Sequence, residues 1–200
     1  MITLLTAIDW NQMLIGLGAN LICGIIVSAL FLFYVLNRLR PNFQISKFIC
    51  KIDSDPREDL RGTPRYTFKI VNKSKYTAFD AKIELFLMTP LPHIGSHQNI
   101  RMHPIEIRTS NLNSVPRYRK NYHKKDGFAL FAILIHTNEP VFEMLKNEGD
   151  YLLLKVTVRH GLSSLAKTLE QQYGDISVIN NDCKFGFAED VTVMPISRTI

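Results

Sequence analysis

Cysteine is scarce in this chain, with only Cys23, Cys50 and Cys183 among 200 residues. None of them forms a C-x-x-C pair, so neither a disulfide framework nor a zinc site can be read from the spacing. The glycine signatures of phosphate chemistry are also missing: there is no P-loop and no G-x-G-x-x-G. In "RHGLSS", His160 stands near Ser163 and Ser164, but a nucleophile elbow needs glycine on both sides of its serine. His93, His97 and His103 occur in a stretch broken by Pro92, Gly95 and Pro104, which argues against two ligands at helical i, i+4 spacing. No fixed-period repeat and no low-complexity tract occurs. These absences lead us to expect no enzymatic activity, no cofactor and no metal. Basic charge is missing from "MITLLTAIDWNQ", where Asp9 is the lone charged side chain, so the basic start of a cleavable signal is lacking.

A long hydrophobic run succeeds that tail. From Met13 to Leu36 no residue is charged, and Asn20, Ser28 and Tyr34 supply the polar atoms. A helix rising 1.5 Å per residue covers the roughly 30 Å hydrocarbon core with about 20 residues. A core helix would show a polar face, and this stretch shows none. The expectation is an uncleaved membrane anchor. Arg38, Arg40, Lys47 and Lys51 come after the span, so the positive-inside tendency puts the bulk of the chain in the cytoplasm as a single-pass protein of the inner membrane. Trp10 and Tyr34 stand where interfacial aromatics belong. The resulting division is residues 1–12 as a short outer tail, 13–37 as the span and 38–200 as one cytoplasmic domain. Gly16, Asn20, Gly24 and Ser28 recur every four residues along the span, a small-or-polar stripe suited to homo-oligomerisation. The competing reading is that glycine is simply common in membrane helices.

Beyond the span the pattern is all-β. "RYTFKIV" places Tyr66, Phe68 and Ile70 on one face. "FDAKIELFL" places Phe79, Ala81, Ile83, Leu85 and Leu87 opposite Asp80, Lys82 and Glu84. "GFALFAILI" is apolar on both faces and reads as a central strand, and "YLLLKVTVRH" alternates Leu152, Leu154, Val156 and Val158 against Lys155, Thr157 and Arg159. "DISVI" and "EDVTVMP" read as short late strands, and "PVFEMLKNEG" as a short helix ended by Gly149. The spacing suggests an immunoglobulin-like β-sandwich.

The stretches "FKIVNKSKYTAFDAKIELFLM" and "HTNEPVFEMLKNEGDYLLLKVTVRHGLSSLAKTLEQQYGDISVINNDCKFGFAEDVTVMP" resemble in layout the cytoplasmic domain of inward-rectifier potassium channels. His136, Pro140, Tyr173, Asp175, Ile176 and Phe185 fall on that family's pattern, and Arg40-Pro41 stands at its membrane exit. The chain departs from the family in having no T-V-G-Y-G filter, no pore helix and no second span, which removes selective potassium conduction. The resemblance implies a ring-forming sensor module, often a tetramer, with basic residues reading anionic lipid. Asn42 stands where the family would have a second base. Arg38, Lys47 and Lys51 could compensate, but an ordinary positive-inside flank is the favoured explanation of them.

"PRYRKNYHKKDG" concentrates Arg117, Arg119, Lys120, Lys124 and Lys125 around Tyr118 and Tyr122, against a formal net charge of +6 for the whole chain. Such a loop suits a solvated or membrane-facing hairpin, phosphate contact with a nucleotide or nucleic acid, or a protein partner. Two functions are therefore expected. The first is a membrane-anchored, homo-oligomeric, non-enzymatic sensor or interaction module that binds a nucleotide, an anionic lipid or a protein. The second is a bacterial antiviral-defence or toxin-type effector that disrupts the bilayer when its cytoplasmic domain binds a cyclic nucleotide.

Overall fold

The computed structural model describes residues 10–38, 41–53, 62–91, 99–120, 129–160 and 165–196. The chain divides into two compact units, Met1–Arg40 and Pro41–Ile200. In the first, α1 (Trp10–Arg38) is a helix of 29 residues. Its segment Met13–Asn37 has a mean hydropathy of 2.4, and none of it is buried. By length and composition it is able to cross a membrane.

The second unit is built of strands with one short helix among its described residues. One five-stranded sheet is organised on β3 (Arg65–Asn72). On one edge of β3 lies β7 (Ala132–Thr137), paired from Tyr66 to Val71. The other edge is shared end to end by β1 (Phe43–Ile45) and β2 (Ile49–Ile52). Between those two strands the chain turns at Ser46, whose hydroxyl accepts the Phe48 N–H at 3.1 Å. Beyond β2 the sheet is extended by β10 (Ile179–Asn181) in parallel.

A second five-stranded sheet centres on β4 (Ala78–Pro90) and β8 (Tyr151–His160). One edge of β4 is shared by β5 (Ile100–Ile105) and β6 (Asn111–Val115), and β8 pairs onward with β9 (Ala166–Tyr173). Both sheets contribute to one apolar cluster: Phe43, Ile49, Phe68 and Ile70 from the first, Ile83, Leu85, Leu152, Leu154, Val156 and Val158 from the second. Phe68 and Tyr173 meet edge to face at 5.5 Å, and the Tyr173 hydroxyl donates to the Ser46 carbonyl at 2.8 Å. Burying such rings with the phenol bonded is among the largest local contributions to stability, since the apolar body leaves water and the polar tip keeps a partner.

Four local readings change in the fold. The alternation in β4 is broken by a bulge between Phe79 and Lys82, with Asp80 at φ 48°. Ala78 and Ala81 therefore face the core, and Phe79 is turned out, 42% exposed. An extra residue in one strand reverses every side chain on one side of it, which pattern alone does not reveal. The apolar β7 pairs with β3 alone among the described residues and so is an edge strand rather than a central one. Of "DISVI", Ile176–Val178 is a 3₁₀ turn in which the Asp175 carboxylate accepts the Ser177 N–H, and the strand begins only at Ile179. The short helix α2 (Val141–Met144) is present but stops before Gly149, which sits at φ 88° in the following turn.

Candidate functional site

β3 is buried on both faces. Tyr66, Phe68 and Ile70 face the common cluster, and Thr67 and Lys69 on the other face are also buried, Lys69 only 3% exposed. The covering element is the hairpin of β11 (Cys183–Phe185) and β12 (Val193–Pro195). Its loop is shaped locally. Gly186 N–H donates to the Thr192 carbonyl at 2.9 Å, the Asp190 carboxylate accepts the Thr192 N–H at 2.8 Å, and Ala188 adopts φ 50°.

Lys69 clasps the loop to the sheet. Its ammonium donates to the Gly186 carbonyl at 2.6 Å and the Asp190 carbonyl at 2.7 Å. Burial pulls its pKa down to about 8; the Asp190 charge opposes that shift and the Lys73 charge adds to it. The unfolded chain, with an ordinary lysine pKa, thus binds more protons between pH 8 and about 10.5. Lys69 consequently weakens folding below pH 8, and the penalty fades as pH rises through that window. We expect urea unfolding to show the wild type gaining stability relative to Lys69→Met as pH is raised from 7.5 to 10. A flat difference would mean that the ammonium is not buried as described.

Under the hairpin lies a cavity of about 560 Å³. The sheet supplies Arg65, Lys69, Leu134 and His136 to its walls, and the hairpin supplies Lys184 and Phe185. His136 Nδ1 and the Thr67 hydroxyl are 3.0 Å apart. Among the described residues that line it there is no carboxylate. Cys50 and Cys183 also line it, and their thiols lie near enough to influence each other's ionisation. Burial pushes the Cys50 thiol far up and raises Cys183 as well. Both stay protonated at neutral pH, which makes them poor nucleophiles. Cys183 also donates to the Asn180 carbonyl at 3.0 Å, and Asn180 is the register partner of Cys50. No group of three metal-ligating side chains occurs among the described residues.

The basic segment lies beside this hairpin. Arg117, Arg119 and Lys120 are exposed, whereas Tyr118 is half-buried and stands edge to face with Phe131 at 5.4 Å. The Tyr118 hydroxyl donates to Glu189 in the hairpin loop, and Lys73 pairs with the same carboxylate at 3.1 Å while lying over the Tyr118 ring. Those two hydrogen bonds, with the Lys73 and Lys120 charges, hold the Glu189 carboxyl below its usual range. Tyr122, Lys124 and Lys125 lie outside the described residues, as do Arg40, His93, His97, Ser163 and Ser164. His103 is exposed on β5.

Of the remaining expected residues, Arg38 ends α1, and its side chain is outside the described set. Lys47 is exposed in the β1–β2 turn, and Lys51 pairs with Asp53 at 3.0 Å and lies over Phe142. Gly16, Asn20, Gly24 and Ser28 are exposed on α1, and a Cβ built at Gly16 or Gly24 meets nothing within 4 Å. Sequence reasoning missed the cavity itself. One signal was available: Lys69 interrupts a strand whose neighbours on both sides are apolar.

No protein-family model matches the chain, and no curated protein matches it.

Proposed function

We propose that this chain is a single-pass, membrane-anchored, homo-oligomeric sensor or interaction module without enzymatic activity. Its β-rich domain is a cytoplasmic sandwich of immunoglobulin type, akin to the cytoplasmic part of inward-rectifier channels, and it binds a small ligand beneath the β11–β12 hairpin. The observation that carries this reading is the cavity of about 560 Å³, covered on one side by a hairpin that a buried lysine bonds to the sheet. Pockets of roughly 300–1,000 Å³ with a few converging polar groups are the usual form of small-ligand sites. Two sheets contributing to one apolar cluster support the sandwich, and the uncovered stripe on α1 supports association between spans.

The sensor reading is tested on the full chain in nanodiscs. A filtered small-molecule extract of the host should raise the melting temperature of the wild type and leave Leu134→Trp, which fills the cavity, unchanged. No shift in the wild type would reject ligand sensing. Anchoring is tested separately: the chain should resist alkaline carbonate extraction. In a variant retaining Cys23 alone, mild oxidant should give covalent dimers in native membranes. Gly24→Leu should reduce that yield several-fold, because a large side chain separates the backbones. A wild-type span that never cross-links would reject homo-oligomerisation. The stripe also suits the effector reading, in which association makes the bilayer leaky. Dye uptake on expression would favour that alternative.

A further inference from the structure

The cavity is built for an occupant of one charge type. Arg65, Lys69 and Lys184 line it, and no carboxylate does so among its described residues. Lys69 is the most telling of these. Its ammonium is bonded to two neutral carbonyl oxygens, which leaves one N–H, while the Asp190 carboxylate acts on it only through its charge. That carboxylate is the nearest counter-charge and does not pair with Lys69 directly. An anion placed on the remaining N–H would therefore be attracted to a cation that is only partly compensated. Three cationic groups match a dianion better than a single carboxylate.

Apart from Thr67 and His136, the remaining side chains of the wall are apolar or cysteine. Phe185, Phe187 and Leu134 border the same space, and Phe187 and Leu134 are 44% and 46% exposed. Aromatic walls offer stacking surface to a flat ring. Size narrows the class further. At roughly 30 Å³ per water, the cavity equals somewhat under twenty waters, so bare phosphate would leave most of it wet.

Resting on the sensor reading above, we propose that the cavity binds a small aromatic phosphate monoester. Its dianion meets Arg65, Lys184 and the remaining N–H of Lys69, and its ring lies against Phe185, Phe187 and Leu134. The anion gives Lys69 a directly bonded counter-charge, and its ring spans the gap between sheet and hairpin. Occupancy would thereby tie the hairpin to β3 and β7 through the ligand, a change that reaches Glu189 and the neighbouring basic segment.

The test uses the full chain in phosphatidylcholine nanodiscs, titrated with phenyl phosphate, adenosine 5′-monophosphate, adenosine, benzyl alcohol, inorganic phosphate and dihexanoyl phosphatidic acid. At least one ring phosphate should bind ten or more times tighter than inorganic phosphate and than its own uncharged counterpart. That affinity should fall with added salt, drop at least fivefold in Lys184→Gln, and vanish in Leu134→Trp. Phenyl phosphate and adenosine monophosphate together distinguish a general ring phosphate from a nucleotide. Equal binding of charged and uncharged rings would overturn the anion assignment, and equal binding of inorganic phosphate would overturn the ring. Tighter binding of the phosphatidic acid would assign the cavity to a lipid headgroup and overturn the proposal. If no compound binds while the host extract still stabilises the wild type, the ligand class is wrong and the sensor reading stands. If neither acts, both fail.

Discussion

Asn72→Asp is expected to destabilise the β-rich domain by about 3–5 kcal/mol at neutral pH, although it changes one atom. Asn72 is fully buried at the end of β3. Its amide nitrogen donates to the carbonyls of Pro116 at 2.9 Å, Val115 at 3.2 Å and Tyr76 at 3.3 Å. Its amide oxygen accepts the Ser74 N–H at 2.8 Å. One side chain thus joins the β3–β4 turn to the end of β6. A carboxylate has no N–H to give, so three carbonyl oxygens would face a buried negative charge. Each buried polar group left unpaired costs about 1–3 kcal/mol, and an unpaired charge costs more.

The variant also carries a pH signature. Burial against carbonyls raises the new carboxyl's pKa in the folded state above its unfolded value. The loss is therefore largest above the folded pKa and shrinks as pH falls through it, because the protonated acid donates again. Urea unfolding at pH 7 and pH 5 should show the gap between wild type and variant narrowing at pH 5. A loss under 1 kcal/mol at pH 7 would show that these bonds do not organise the turn.

Gly186→Val is expected to release the hairpin while leaving the two sheets folded. A Cβ at position 186 would overlap the carboxyl group and Cβ of Asp190, and the overlap reaches too close to the backbone for a rotamer change to absorb it. Gly186 and Asp190 are also the two residues whose carbonyls hold Lys69. Forcing them apart breaks the clasp at its acceptors. Overpacking costs about 1–3 kcal/mol, and two charge-assisted hydrogen bonds contribute a similar amount. Local opening should become easier by about 2–4 kcal/mol, which is a factor of roughly 30 to 1,000 in the opening equilibrium.

Hydrogen exchange at 183–195 should rise by that factor, with amides of β4 and β8 unchanged. Cys50 and Cys183, now uncovered, should react with maleimide in minutes. Ligand binding in the cavity should be lost together with this protection. If the hairpin amides remain as protected as in the wild type, Lys69 is not what holds the cover down.

Composition and spacing made the long apolar helix legible because the requirement is local: a charge-free run of sufficient length needs no knowledge of anything else in the chain. β8 was equally readable, since Leu152, Leu154, Val156 and Val158 alternate without interruption and all four are buried. β4 was only half readable. The rule of alternation holds from Ala81 to Leu85, and the bulge at Asp80 turns Phe79 outward at no visible cost in the pattern. β7 misled for another reason. An apolar strand is needed wherever both faces are covered, and here its second face borders the cavity rather than another sheet.

The basic run from Arg117 to Lys125 was visible as charge density, but its neighbours were not. That Tyr118 and Lys73 converge on Glu189, more than a hundred residues from Lys73, depends on where the hairpin comes to rest. The apolar helix, the basic segment and the strand-rich character of the rest were all readable in the residues themselves, because each belongs to one short window. Three outcomes were not: which face of β3 is covered by the hairpin, the meeting of Cys50 with Cys183, and the burial of Lys69 with carbonyls as partners. They arise from packing between distant strands, which no local period encodes.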